Sequence, residues 1–155
     1  MAGRKSKKRN KQDSNKLHRD VDKRLKQQVE KNLPDKDLIV VRSRDGIKMS
    51  QVLERFVEPY MEQVKTEDAY RKLLSIAVAV WNVALLPSEK RLAYLNGLQA
   101  MLPDEVRDEG KKTVVELLER KEKHFSHYRR MIIDFDVADT GSGWYISVIS
   151  TPEPV

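Results

Sequence analysis

The chain has 155 residues, 35% of them charged and 39% hydrophobic, with a formal net charge of +6 and no cysteine. That length suits one domain, and the lack of cysteine excludes a disulfide framework and a thiolate zinc site. It also fits a reducing compartment, so the expected location is cytoplasmic, or nuclear in a eukaryote.

The charge is not evenly spread. Six of the 30 bases fall in residues 1–12: Arg4, Lys5, Lys7, Lys8, Arg9 and Lys11. No acid accompanies them, which leaves 24 bases against 24 acids in the rest. Attraction to polyanions is therefore expected at the tip and not on the body. With no apolar residue in 3–12 there is nothing to bury, so the tip is expected to be disordered in isolation.

Residues 14–33 predict a helix that Ser14 or Asn15 caps and Pro34 follows. Leu17, Val21, Leu25, Val29 and Leu33 recur every four residues, so the stripe drifts by about 40° per step. A two-helix seam would hold its stripe in place with alternating threes and fours. The expectation is a marginal helix ordered by a partner, with those five residues as the docking face. The division is an arm over 1–36, one globular domain over 37–151 and a tail over 152–155.

Residues 37–46, "DLIVVRSRDG", predict a short strand at 38–43 before an Asp-Gly turn. Ser50 is placed as the cap of the next helix, whose face is Val52, Leu53, Phe56, Val57, Tyr60, Met61 and Val64. Pro59 must kink or restart it. Thr66 caps a helix that is apolar nearly all round from Leu73 to Leu86, and such a helix belongs at the centre of a core. At 14 residues that run is too short to span a bilayer, and no targeting segment is seen. Pro87 stops this helix and Ser88 is placed as the cap of an antiparallel neighbour lined by Leu92, Leu95, Leu98 and Leu102. Pro103, Asp104 and Glu105 open a fourth segment that Gly110 breaks. Val114, Leu117, Leu118, Phe125 and Tyr128 continue a helical face to about residue 128.

The period then changes to two. Met131, Ile133, Phe135 and Val137 alternate with Ile132, Asp134, Asp136 and Ala138. The loop 139–143 carries two glycines, and a second strand runs from Trp144 to Ser150. The fold class is α+β: about four helices, a C-terminal β-hairpin with strand 38–43 as a candidate third member, and a basic N-terminal arm.

No motif identifies an activity, and no catalytic constellation or cofactor site emerges. The expected function is non-enzymatic: attachment to RNA, to DNA or to a ribonucleoprotein assembly such as the ribosome, through Arg4, Lys5, Lys7, Lys8, Arg9, Lys11, Lys16, Arg19, Lys23 and Arg24. No aromatic residue precedes Phe56, so this arm suits phosphate contact and not base stacking. The alternative is a protein-interaction subunit docking through helix 14–33. A third reading is a metal-dependent hydrolase at His124, His127, Asp134 and Asp136. Its spacing is loose, and dipole-favoured histidines with an exposed strand face explain it better. Asn82, in the most buried helix, is expected to be a satisfied structural amide. "DTGSG", 139–143, reads as a hairpin turn and not as a phosphate loop, since the Lys and following helix are missing.

Overall fold

The structure is a computed structural model and describes residues 3–32 and 48–152, with side chains described from Asn15 on. Among the described residues, five α-helices precede an antiparallel hairpin. They are α1 (Gly3–Asn32), α2 (Met49–Val57), α3 (Glu67–Ala84), α4 (Ser88–Ala100) and α5 (Arg107–His124), followed by β1 (Ile132–Asp139) and β2 (Trp144–Ser150). The candidate strand 38–43 lies outside the described residues.

The layers follow from where apolar surface must go. Helix α3 is central as its composition requires: Tyr70, Leu74, Ala77, Val80 and Trp81 are buried in it. Thr66 caps it, its Oγ1 accepting the Ala69 N–H at 3.1 Å, with Glu67 and Asp68 on the positive end of the dipole. Helices α2 and α5 supply Val52, Leu53, Phe56, Val114 and Leu117 to the same core. Phe56 meets Trp81 and Phe125 edge to face, with centroids 5.2 and 5.4 Å apart. Pro59 acts as expected, since α2 ends at Val57 and a 3-10 turn carries on over Glu58–Gln63.

The hairpin divides the molecule. Phe135, Val137, Trp144, Ile146 and Val148 face the helical core, and the other face lies under α1. Strict alternation would put Ile132 with Asp134 and Asp136, but Ile132 belongs to the same core as Val137. A register irregularity between Ile132 and Asp134 shifts the phase of β1 and explains the difference. The loop is a turn as expected: Gly141 adopts φ +84°, Thr140 N–H donates to Gly143 O at 2.9 Å, and Gly141 N–H donates to Asp139 Oδ1 at 2.8 Å.

Five expectations about helix ends and faces are corrected. Helix α2 begins at Met49, with Lys48 at the cap position, so Ser50 does not cap it. Pro87 holds the cap position of α4 and makes Ser88 the first helical residue. Gly110 does not break α5; Leu102 packs so close that a Cβ there would lie 2.5 Å from its Cδ1, and the helix runs on to His124 instead of 128. Leu92 is 67% exposed; α4 buries no residue fully, and packs through the half-buried Leu95 and Leu98.

Candidate nucleic-acid interface

Helix α1 is held by the hairpin. Val21, Leu25 and Val29 are 2%, 0% and 1% exposed, on the face of α1 that meets β1 and β2. Three residues over two turns drift only about 80°, which one helix face tolerates. Leu17 is half-buried at the margin, and Leu33 lies outside the described residues. The stripe expected to wait for a separate protein is therefore filled by the chain's own hairpin, because β1 and β2 present a second face that needs cover.

Polar contacts set the position. Arg24 Nε donates to Asp136 Oδ2 at 2.6 Å, Gln28 Nε2 to Asp134 Oδ2 at 3.1 Å, and Tyr145 Oη to Asp22 Oδ1 at 2.8 Å. The His18 ring stacks on Tyr145 at 3.9 Å. Asp136 is the pivot. It is 2% exposed and also receives Arg71 Nη1 from α3 at 3.0 Å and the Val137 N–H at 2.9 Å. Burial opposes its ionisation, but the hydrogen bonds from Arg24, Arg71 and Val137 outweigh that and hold the carboxyl below its ordinary range. The same contact raises Arg24.

On the opposite side of α1, Lys16, Arg19, Lys23 and Lys26 are exposed at intervals of three and four residues. Arg24 is spent on Asp136 and does not join that row. Lys26 does join it, although the sequence reading passed over it; it makes only an exposed pair with Glu30 at 3.9 Å. Arg4, Lys5, Lys7, Lys8, Arg9 and Lys11 belong to the N-terminal stretch of the same helix.

The outer edge of β1 is closed by side chains. Asn82 pairs with Ile132 as another strand would: its Nδ2 donates to Ile132 O at 2.8 Å and its Oδ1 accepts the Ile132 N–H at 2.9 Å. The expected structural amide is there, bonded to a strand. Asp134 and Asp136 each accept the N–H of the residue that follows, and Arg71 Nη2 donates to Val137 O at 3.0 Å. Trp81 Nε1 donates to Arg130 O just before the strand, at 2.9 Å.

These duties bear on the metal reading. Asp136 is neutralised by two guanidinium groups. No group of three or more His, Asp or Glu able to hold a metal occurs among the described residues.

A second buried charge went unread. Lys121 is 3% exposed and follows Val114 and Leu117 at core spacing, which was the available signal. Its Nζ donates to Phe125 O at 2.6 Å and Tyr128 O at 2.8 Å, and sits 4.3 Å from the Trp81 ring centroid. Burial, aided by Arg91, pushes this ammonium down to about 8. Arg91 is similarly occupied. It closes α3 through Ala84 O at 2.7 Å and Leu86 O at 2.9 Å, and pairs with Glu122 at 2.8 Å. Both cations serve helix C-terminal carbonyls.

No helix among the described residues is long and apolar enough to cross a membrane. Comparison with protein-family models, with curated proteins and with solved structures gives no match.

Proposed function

We propose that the protein is a non-enzymatic binding protein that grips the phosphate backbone of a nucleic acid through α1. One observation carries this reading: α1 is fixed by its inner face to the hairpin while Lys16, Arg19, Lys23 and Lys26 stand in solvent on the outer face. Ten residues of helix place those four cations along about 15 Å. Counted back from Lys16 at helical intervals of seven, eight and eleven residues, the sequence has Arg9, Lys8 and Lys5. Residues 3–32 hold twelve bases against four acids, so the helix is where a polyanion gains energy.

Cations on a helix side, with no aromatic platform among them, neutralise phosphates and read little sequence. The test is titration of single-stranded and duplex oligonucleotides of unrelated sequence at several salt concentrations. Each phosphate contact contributes about 0.9 to the slope of log affinity against log salt on duplex DNA and about 0.7 on a single strand. The combined change of Lys16, Arg19, Lys23 and Lys26 to Gln should remove about 2–4 units of that slope and weaken every sequence alike. A slope near zero in the wild type, or one unchanged in the quadruple variant, removes α1 as the interface.

A further inference from the structure

We propose that the cleft between α4 and α5 is a second, independent site, which binds the oxyanion head of a small molecule. The cleft is an open groove of about 300 Å³, lined by Asn96, Gln99 and Ala100 of α4 and by Arg107 and Lys111 of α5. That volume is at the small end of ligand sites and fits a phosphate or carboxylate group with a short body.

The chemistry of the lining is one-sided. Two cations and two primary amides line the cleft, and no carboxylate does. Some helical surface cations meet acids, Arg71 with Glu67 at 3.2 Å, Lys72 with Asp68 at 3.1 Å, Arg91 with Glu122 at 2.8 Å and, in the cleft itself, Arg107 with Asp104 at 2.7 Å. Lys111, Asn96 and Gln99 make no ion pair or side-chain hydrogen bond among the described residues. Arg107 is held in place from one side, its Nη2 bonded to Asp104 Oδ1 at 2.7 Å and Leu102 O at 3.3 Å. Its Nε–H is buried and meets no acceptor among the described residues. A buried donor without an acceptor is costly, and an incoming anionic oxygen with a small shift of the guanidinium would satisfy it. Lys111, one turn further along α5, adds a second positive charge from the same side. The amides of Asn96 and Gln99 supply neutral donors from across the cleft.

The test is NMR of the full chain, titrated with inorganic phosphate and separately with acetate at constant ionic strength. Saturable shifts of the Asn96 and Gln99 side-chain amides and of the Arg107 Nε–H are expected, and the tighter of the two ions names the head group. Lys111→Gln should raise the dissociation constant about tenfold. Ala100→Glu, at an exposed helical position, places a competing carboxylate in the cleft and should abolish binding. The quadruple α1 variant should leave this binding unchanged, which separates the site from the nucleic-acid reading. Shifts that rise linearly without saturating, or saturable shifts that survive both Lys111→Gln and Ala100→Glu, overturn the proposal.

Discussion

The two faces of the hairpin are covered by different means. Toward the helical core it offers Phe135, Val137, Trp144, Ile146 and Val148, and the opposing α2, α3 and α5 answer with aliphatic and aromatic side chains. Toward α1 it offers Asp134, Asp136, Ala138 and Tyr145, and α1 answers with three aliphatic residues and a set of directed polar contacts. Apolar burial is strong but indifferent to small rotations, whereas hydrogen bonds through Arg24, Gln28 and Tyr145 fix one orientation. The core face thus stabilises the domain, and the α1 face aims the helix. An outward row of cations has a fixed direction only if the inner face of its helix cannot turn.

The largest expected effect is on the core face. Ile146→Ala should cost about 2–5 kcal/mol of global stability in denaturant unfolding. A loss under 1 kcal/mol would mean that the hairpin is not integral to the core. Asn82→Leu comes next. It leaves the N–H and C=O of Ile132 without their partner and should cost about 1–3 kcal/mol. An unchanged melting temperature would show the amide pairing to be dispensable.

Asp136→Asn sharpens the contrast most directly. Its arginine partners are partly exposed, so the expected loss is about 1–2 kcal/mol. It should appear as faster hydrogen exchange over residues 15–32, with the core strands still protected. The pH dependence has a definite sign. Asp136 titrates lower in the folded chain than in the unfolded one, so its contribution is complete above the ordinary carboxylate pKa of about 4 and is lost as pH falls through the lower folded value. In Asp136→Asn that part of the acid-side slope should vanish; an identical acid limb in both proteins would contradict the ion-pair account. The smallest effect belongs to the tip. Deleting residues 1–12 should move the melting temperature by no more than about one or two degrees, since the hairpin contacts and buried residues that the structure describes in α1 all lie beyond them.

Much of this architecture was legible because the signals were local. The apolar run of α3, the break at Pro59, the Thr66 cap and the two-residue period of the hairpin each follow from neighbours in sequence. Asn82 was legible as a satisfied amide, though its partner, fifty residues away, was not. The docking of α1 was hidden by treating all five stripe residues as one face. Only Val21, Leu25 and Val29 are needed, and the drift that makes a long seam untenable is harmless over two turns. A pairing signal existed: Arg24 and Gln28, four apart on a helix, match Asp136 and Asp134, two apart on a strand face. Charge complementarity at matching spacing carries no direction along the chain, so it identifies a contact only once the fold has brought the elements together. The aspartates looked like metal ligands for the same reason. Their residue type was visible; their partners, Arg24 and Arg71 for Asp136 and Gln28 for Asp134, were not.

Asn82 has a consequence for how copies of this molecule behave beside one another. A strand margin with free peptide groups is a template on which a neighbour's chain can polymerise. Here the position that a guest strand would need at Ile132 is already taken by a side-chain amide that imitates a peptide and then stops. The mimic satisfies the strand at that point without offering a second edge of its own. Asn82→Leu removes that mimic and leaves both peptide groups of Ile132 unpaired beneath α3.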